Sequence, residues 1–477
     1  MNRYDHAVAE KPPCGFAGLG LDGRSRVLVL GLGATGLSTV RFLRRHGFEC
    51  AVMDSRIAPP GLQDLREAFP DVPLFLGDFS RSALAAATHL VVSPGLSLEL
   101  DEIRESRRRG VRVFGDLDLF ACCARAPVAA ITGSNGKSTV TTLVGLMAKA
   151  SGIRAAVGGN LGTPMLDLLD AELAVSPSTT LGVNSVEGAD LFVLELSSFQ
   201  LERSELFEAD VATVLNISPD HMDRYPDLAA YGAAKRRVFR GDGLMVLNDD
   251  DPLVKGMYRP GRRAVRFGLG TGASLDYSLA LREGRIWILA EGVPLLPADE
   301  VRVKGRHNLA NALAAVAIAD ACEFDREAVA QVLRTFPGLD HRMQWVADID
   351  GVAYINDSKA TNVGACIAAL SGLDGKAVLI AGGDGKGADF SALTPVAAEK
   401  LRAAVLMGRD GPVIEQALKD VVPTIRVKTM FDAVRAARGV AQGGDTVLLA
   451  PACASLDQYQ DYQERGRDFA ATVRSLS

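Results

Sequence analysis

The chain has 477 residues, of which 48% are hydrophobic and 23% charged, with 52 basic residues against 58 acidic ones. At roughly 150 residues a domain, this length allows about three domains, and the composition is that of a folded globular protein. The net charge of -6 argues against a nucleic-acid binder, which usually carries a basic stripe. The seven cysteines form no CxxC pair or Cys/His cluster. Neither a zinc site nor a disulfide framework is therefore expected.

The start of the chain and its apolar runs predict a protein of the cytoplasm. The first residues, MNRYDHAVAEKPPCG, lack the apolar segment of a secretory signal. No run reaches the ~18 apolar residues that a membrane span requires. We therefore expect a reducing cytoplasmic location, no membrane partner and a flexible lead-in over residues 1–23.

Continuous apolar runs alternate with helical patterns along the chain, and this alternation predicts an α/β fold. Strands are predicted at 26–30, 50–53, 90–92, 111–114, 128–131, 191–194, 212–215, 352–355, 377–380, 404–407 and 446–449. Helices are predicted near 37–45, across 97–109 and from about 139 onward. Glycine and proline at 335–339 indicate a linker. We therefore predict three α/β domains, at 24–116, 117–338 and 339–477.

The segment after the strand at 128–131 has the features of a phosphate-binding loop. Its turn and the start of the next helix comprise Gly133, Ser134, Asn135, Gly136, Lys137, Ser138 and Thr139. Backbone amides of such a turn and the helix N-terminus attract anions, Lys137 can reach outer phosphates, and the Ser138 hydroxyl can hold magnesium. Ile131 stands where the standard loop has its first glycine. A purely structural turn is the alternative, but the combined features favour nucleotide binding.

Two polar side chains lie at strand ends in the same predicted domain. Glu195 belongs to an apolar strand, where an unpaired carboxylate is costly, so it either pairs with a base or binds a cation. His221 lies in a polar turn after the next strand. An ordinary turn histidine is the alternative, but ligands of α/β sheets gather at the C-terminal strand ends. Lys235 lies on a predicted helix and, by itself, predicts no more than a solvated lysine.

A glycine pattern near the start supports a competing hypothesis. Gly31, Gly33 and Gly36 follow a strand in a GxGxxG arrangement, and Asp54 ends the next strand. By itself this pattern predicts a dinucleotide site with Asp54 on a ribose hydroxyl. A nicotinamide dehydrogenase is therefore the main alternative, although no further residues suggest a hydride-transfer site.

Three segments of the chain resemble the Mur ligases and their folylpolyglutamate synthase relatives. They are the short phosphate loop, Leu194-Glu-Leu-Ser-Ser-Phe-Gln-Leu201 and Asp220-His-Met-Asp-Arg-Tyr225. The resemblance runs from about Val27 to the C-terminus, and it is greatest to the members that add D-glutamate. It implies a Rossmann-like N-terminal domain that binds the UDP-substrate, a central P-loop-type ATPase domain and a Rossmann-like C-terminal domain for the amino acid. The implied reaction is an ATP-dependent amide ligation of UDP-N-acetylmuramoyl-L-alanine to D-glutamate through an acyl phosphate, in peptidoglycan precursor synthesis. The implied enzyme is a monomer with small-molecule substrates and no nucleic-acid partner.

The resemblance also implies a role for individual residues. The catalytic residues would be Lys137, Glu195, His221, Lys235 and Lys359. ATP would contact Gly133, Ser134, Asn135, Gly136, Lys137, Ser138, Thr139, Asn308, Asn311, Arg342 and Asp357. The UDP-substrate would contact Thr35, Asp54, Ser55, Arg56, Ser93 and Asn160. D-glutamate would contact Thr361, Lys386, Ser455 and the backbone of Tyr462, where the family commonly has Phe. Two Mg²⁺ ions would be held by Ser138, Glu195, His221 and Lys235, the last as a carbamate.

Several alternatives stay open at this stage. Asn308 would also suit a helix N-cap, and Asn160 a plain turn. Other Mur ligases remain possible, although the Asp-Asn-Pro-Arg string of the diaminopimelate-adding members is absent. A folate polyglutamylating enzyme would leave the N-terminal GxGxxG domain without a purpose. A noncatalytic nucleotide-binding protein would leave the many polar residues at strand ends unexplained.

Overall fold

A computed structural model describes residues 15–160, 162–173, 189–270, 275–373 and 375–476. Residues 1–14 of the predicted lead-in lie outside this part of the chain. Residues 15–23, also assigned to that lead-in, pack on the first domain: Leu19 and Leu21 are buried, and the Phe16 ring contacts Phe42 and Phe48. The apolar side chains explain this difference, because burial removes them from water.

The N-terminal domain is built on a five-stranded parallel sheet with the order β3-β2-β1-β4-β5. Its strands are β1 (Val27–Leu30), β2 (Cys50–Asp54), β3 (Leu74–Leu76), β4 (His89–Val92) and β5 (Arg112–Phe114). Its helices are α1 (Ala34–Arg45), α2 (Leu62–Ala68), α3 (Arg81–Ala86), α4 (Asp101–Arg108) and α5 (Asp116–Cys123). The central strand β1 is buried along its whole length, as its unbroken apolar sequence predicts.

The central domain has a nine-stranded sheet with the order β14-β13-β12-β11-β10-β9-β6-β8-β7. Its strands are β6 (Val128–Thr132), β7 (Ala155–Gly159), β8 (Leu191–Glu195), β9 (Val211–Val214), β10 (Leu244–Asn248), β11 (Ala264–Phe267), β12 (Tyr277–Arg282), β13 (Arg285–Ala290) and β14 (Val293–Pro297). Its helices are α6 (Lys137–Ala150), α7 (Met165–Leu173), α8 (Ser198–Leu201), α9 (Leu228–Arg236), α10 (Pro252–Lys255), α11 (Arg306–Ala321) and α12 (Arg326–Thr335). Strands β12, β13 and β14 form an antiparallel meander that the sequence analysis did not predict.

The C-terminal domain has a six-stranded sheet with the order β15-β16-β20-β17-β18-β19, in which only the β15–β16 pair is antiparallel. Its strands are β15 (Gln344–Ile349), β16 (Val352–Asn356), β17 (Ala377–Gly382), β18 (Leu401–Met407), β19 (Thr424–Arg426) and β20 (Thr446–Leu449). Its helices are α13 (Val363–Ser371), α14 (Thr394–Lys400), α15 (Gly411–Leu418), α16 (Met430–Val440) and α17 (Tyr462–Arg474). Short 3-10 turns occupy Phe16–Leu19, Arg237–Phe239, Ala298–Glu300 and Phe390–Leu393.

The three sheets confirm the predicted α/β architecture, while the exact domain boundaries stay predictions. Each predicted strand is present, with ends that differ by a few residues at most. The helix predicted across 97–109 is shorter and begins at Asp101. Among the described helices, none is both long and apolar enough to cross a bilayer.

Candidate active site

The predicted phosphate loop connects β6 to α6 and is shaped by two glycines. Gly133 has φ +150° and Gly136 has φ +84°, values that favour glycine. A Cβ atom on Gly136 would lie 2.4 Å from Oδ1 of Asn311, so α11 can pack closely against the loop only because this residue is glycine. The Asn216 side chain accepts a hydrogen bond from the Asn135 N–H at 2.8 Å. The loop is therefore fixed by contacts on two sides.

Lys137 begins α6 and lies inside this loop. Its ammonium donates hydrogen bonds to the carbonyl oxygens of Gly133 at 2.8 Å and Ser134 at 2.9 Å. Burial lowers the pKa of Lys137, while the negative charges of Glu195 and Asp220 act in the opposite direction. A cation is thus held where a phosphate chain would lie on the helix N-terminus.

Glu195 ends β8 and is buried. Its Oε1 accepts a hydrogen bond from the Asn160 side chain at 2.7 Å, whereas no group in the described part of the chain donates to its buried Oε2. Burial acts to raise the pKa of Glu195, but the positive charge of Lys137 and the polar side chains of Ser138 and Asn160 outweigh it and leave the pKa below its usual value. An ionised, buried carboxylate with one free oxygen fits the predicted magnesium ligand. Asn160 is therefore more than a plain turn residue.

His221 lies in the loop after β9, in a left-handed conformation with φ +58°. Its ring packs edge-on against Phe199, with 4.7 Å between the centroids. Burial lowers the pKa of His221 to about 4, although the neighbouring Asp220 carboxylate acts to raise it. The imidazole is therefore neutral at pH 7 and can bind a cation or accept a hydrogen bond.

Lys235 lies on α9 and is only 1% exposed, so the simple prediction of a solvated lysine is wrong. Its ammonium lies 4.6 Å from the centroid of the Tyr231 ring, and no described carboxylate forms an ion pair with it. Burial, together with the charge of Lys137, places the pKa of Lys235 well below its usual range. The side chain is thus a buried amine close to the phosphate loop, and its burial favours the uncharged form.

A cavity of about 360 Å³ lies between the central and C-terminal domains beside the phosphate loop. Among the predicted site residues, it is lined by Asn135, Gly136, Thr139, Asn308, Asn311, Arg342, Asp357 and Lys359. Arg342 belongs to the C-terminal side of the linker and donates a hydrogen bond to Ser138 Oγ at 2.7 Å. The structure therefore brings these predicted residues together from two domains.

Two details of this cavity differ from the sequence analysis. Asn308 is not the N-cap of α11, because the helix begins at Arg306 after Gly305, and the Asn308 side chain bonds to the Lys304 carbonyl. The cavity is also lined by residues that were not predicted, among them Asn248, Phe267 and His307. Asn248 could have been found, since it is a polar residue at the end of a buried strand; Phe267 carried no such signal.

Asp357 follows β16 and lines the cavity. Burial raises its pKa to about 7, although the nearby Arg342 acts to lower it. The carboxyl group therefore gains and loses its proton close to neutral pH.

This pKa predicts a pH-dependent effect of Asp357 on stability. Because the pKa is raised from 3.8 to about 7, the folded state holds the extra proton between these values, and stability falls as the pH rises through about 7. Asparagine cannot ionise, so the Tm of D357N minus that of the wild type is expected to increase from about pH 5 to about pH 8. Thermal unfolding of both proteins across this pH range measures the difference in Tm, and substitution of the exposed Asp420 by Asn serves as the control. A pH-independent difference would contradict the assignment.

The predicted D-glutamate residues lie on three neighbouring loops of the C-terminal domain. The turns that carry Lys386 and Ser455 are joined by paired backbone hydrogen bonds between Asp384 and Ala454. Tyr462 is the first residue of α17, so its N–H has no acceptor within the helix and can face an anion. The Lys386 ammonium bonds to Asp220 of the central domain at 3.2 Å.

Two further predicted residues lie close to these loops. The Lys359 ammonium lies 4.0 Å from the centroid of the Tyr462 ring. Burial lowers the pKa of Lys359 to about 8, and the charge of Arg342 acts in the same direction. The Thr361 N–H donates a hydrogen bond to the Lys359 carbonyl at 2.7 Å. The structure thus places both residues beside the predicted amino-acid groups.

The predicted UDP-substrate residues, apart from Asn160, lie in the N-terminal domain. Thr35 is in the first turn of α1, and Ser93 follows β4 and donates a hydrogen bond to the Gly31 carbonyl at 3.1 Å. Asp54 accepts hydrogen bonds from the Leu32 N–H at 2.7 Å and from the Arg56 guanidinium. Ser55, which lies between Asp54 and Arg56 in the chain, is exposed. Both Asp54 oxygens therefore accept hydrogen bonds from protein donors.

Of the four predicted metal ligands, two, Glu195 and His221, belong to the residue types that most often bind metals in proteins, which are His, Cys, Asp and Glu. Within the described ranges, no three His, Cys, Asp or Glu side chains form a metal-binding group. The further ligands that the family resemblance implies are the Ser138 hydroxyl and a modified Lys235.

Three family models match the chain one after another. The model described as Mur ligase MurD-like, N-terminal domain, matches residues 25–115. The model described as Mur ligase middle domain matches residues 131–319. The model described as Mur ligase, glutamate ligase domain, matches residues 341–453. The matches occur in the order of the three sheets.

Proteins of similar sequence extend over nearly the whole chain. The UDP-N-acetylmuramoylalanine–D-glutamate ligase of Methylococcus capsulatus is 84% identical over 474 residues, which are 99% of this chain and 100% of that protein. The enzyme of the same name from Nitrosococcus oceani is 49% identical over 451 residues, which are 94% and 96% of the two chains.

Solved structures share the fold at much lower identity. The UDP-N-acetylmuramate-alanine ligase of Thermotoga maritima has a TM-score of 0.58 at 18% identity, and covers 95% of this chain and 100% of its own. The pseudomurein peptide ligase type C of Methanothermus fervidus has a TM-score of 0.58 at 16% identity, with the same coverage. At these identities the similarity supports the three-domain fold alone.

Proposed function

Because the chain belongs to the Mur ligase family, we propose how its residues share the work of an ATP-dependent amide ligation. The enzyme joins UDP-N-acetylmuramoyl-L-alanine to D-glutamate, a step in the synthesis of peptidoglycan and hence of the cell wall. The observation that carries this function is 84% identity across 99% of the chain to a D-glutamate ligase. The cavity beside the phosphate loop supports it independently.

The chemistry explains the need for ATP. A carboxylate is a poor electrophile because oxide is a poor leaving group. Transfer of the γ-phosphoryl group of ATP to the carboxylate gives an acyl phosphate and ADP. The D-glutamate amine then attacks the carbonyl carbon, the tetrahedral intermediate expels phosphate, and the amine loses a proton as the amide forms.

Basic side chains of two domains surround the proposed phosphoryl path. Lys137 lies in the phosphate loop, while Arg342 and Lys359 approach from the C-terminal domain. Such fixed cations stabilise charge on a transferring phosphoryl group because they need no reorganisation during the reaction. His221 and Lys359 are proposed to orient the reacting groups.

The magnesium ligands are proposed to be Ser138, Glu195, His221 and carbamylated Lys235, for two ions. Magnesium held by these residues would offset the negative charge of the phosphate groups. The free Oε2 of Glu195 fits such a ligand, and the buried Lys235 amine can add to carbon dioxide in its uncharged form, which burial favours. This addition forms a carbon–nitrogen bond, releases one proton to solvent and gives a carbamate anion, whose charge a magnesium ion held there would offset.

The remaining substrate contacts complete the proposal. ATP occupies the cavity lined by Asn308, Asn311, Arg342 and Asp357. D-glutamate lies among Thr361, Lys386, Ser455 and the backbone of Tyr462. The UDP end of the other substrate lies on the N-terminal domain at Thr35, Asp54, Ser55, Arg56 and Ser93, with its sugar-peptide part toward Asn160. The enzyme acts as a monomer in the cytoplasm, where ATP is supplied.

ADP release is expected to depend on D-glutamate. Purified protein would be given ATP, magnesium and UDP-N-acetylmuramoyl-L-alanine, with D-glutamate, L-glutamate or no amino acid. Rapid ADP release together with an amide product should occur with D-glutamate alone. ADP release with another amino acid would support the proposed phosphate chemistry but show that D-glutamate is not the substrate. In a separate assay with added nicotinamide cofactor, a change in its absorbance, together with no ADP release in the first assay, would favour the dehydrogenase alternative.

A further inference from the structure

Arg465 is a buried arginine of α17 that bonds to several other segments of the C-terminal domain. It is only 2% exposed. Its guanidinium donates to Ser358 Oγ at 3.0 Å, to the Ser358 carbonyl at 2.8 Å, to the Cys453 carbonyl at 3.1 Å and to the Gly382 carbonyl at 3.5 Å. No carboxylate in the described ranges forms an ion pair with it. Three segments that are distant in sequence therefore meet at one side chain.

Each acceptor lies next to a predicted amino-acid contact. Ser358 precedes Lys359, and its hydroxyl also donates a hydrogen bond to the Tyr462 carbonyl at 2.8 Å. Gly382 begins the turn that carries Lys386. Cys453 lies two residues before Ser455, in the loop after β20, and its neighbour Ala454 pairs with this turn. One guanidinium thus bonds to the backbone near each of these groups, in addition to the hydrogen bonds between Asp384 and Ala454 that join two of the turns.

We propose that Arg465 is a positioning residue that sets the spacing of the groups binding the two carboxylates of D-glutamate, without touching the substrate itself. The inference rests on the proposed D-glutamate site. A guanidinium has five donors in a rigid plane, whereas a lysine ammonium is a flexible point donor. Lysine at this place keeps the charge but cannot hold three loops in one geometry. Loosened spacing would weaken the enzyme's discrimination between glutamate and a shorter dicarboxylic amino acid.

The test compares R465K with the wild-type enzyme in steady-state kinetics. We expect the KM for D-glutamate to rise about tenfold, the loss associated with charge-assisted hydrogen bonds, while the KM for ATP stays within about twofold. The preference for D-glutamate over D-aspartate, measured as the ratio of kcat/KM values, should fall. A role in stability alone would lower the Tm without moving that ratio.

Two matched variants make the result decisive. Arg262 also donates to three backbone carbonyls, those of Phe239, Gly241 and Gly243, but in the central domain, so R262K should leave the preference unchanged. S455A tests the proposed amino-acid site itself. An unchanged KM for D-glutamate in S455A means that this site is wrong. A raised KM in S455A with an unchanged KM and preference in R465K overturns the role of Arg465.

A further variant, S358A, tests the same role if R465K does not fold. S358A retains the arginine but removes the hydroxyl that joins it to the Tyr462 carbonyl. The same direction of change is expected, with a smaller rise in the KM for D-glutamate and a smaller loss of preference over D-aspartate. A folded S358A enzyme with wild-type values for both would overturn the proposal.

Discussion

K137A is expected to lower kcat for ADP release by about 1000-fold, the upper range for removing one preorganised charge-stabilising group. The side chain lies inside the phosphate loop, and its removal leaves the carboxylates of Glu195 and Asp220 without this cation. The phosphoryl group would then transfer toward uncompensated negative charge. The measurement is ADP release at saturating substrates.

Lys149 supplies the control for this variant. It lies near the end of the same helix, α6, and is exposed, so K149A removes an equal charge outside the cavity. K149A should retain wild-type activity. If K137A retained more than about a tenth of the wild-type kcat, Lys137 would have no part in stabilising the transferred group.

K235A is expected to reduce activity at least about 100-fold, which corresponds to a loss of several kcal/mol of metal-dependent stabilisation. The variant removes the buried amine that is proposed to form the carbamate. A short-chain carboxylic acid such as acetate can place an anion in the vacated space, so its addition should restore part of the activity. Depleting carbon dioxide from the buffer should lower the activity of the wild type but not of the variant.

The control is K255A, which removes an exposed lysine that pairs with Asp249. The activity of K255A should change with acetate and with carbon dioxide only as much as the activity of the wild type does. Full activity in K235A would remove the carbamate from the mechanism. Low activity in K235A without any rescue by acids would instead indicate that the lysine itself, unmodified, is required.

The local parts of the site could be predicted from the sequence because their signals lie within a few residues. The phosphate loop combines an apolar strand, glycines and a lysine in one short stretch, and Glu195 stands out as a charge in an apolar run. The meander of β12, β13 and β14 also had a local signal that was overlooked. Glu283-Gly284 and Glu291-Gly292 form its two turns, and all four residues have positive φ.

Contacts between distant segments could not be predicted in this way. The bond between Lys386 and Asp220 joins residues 166 positions apart, and Arg465 reaches Ser358 across 107 positions. The helical and strand periodicities of a sequence reveal only contacts between residues a few positions apart. Both of these pairs instead depend on how two domains or two loops pack against each other. The depth at which Lys235 is buried likewise depends on tertiary packing rather than on the sequence of its helix.

The bond between Lys386 and Asp220 bears on how tightly an amino acid can be held. The Asp220 carboxylate already neutralises Lys386 and also accepts a hydrogen bond from Asn362 at 3.3 Å. On the proposed role of Lys386, an incoming carboxylate meets a lysine that already has a counter-ion. The free energy gained is then the difference between two ion pairs rather than the full strength of one. A Kd for D-glutamate would consequently understate the strength of the lysine–carboxylate contact within the complex.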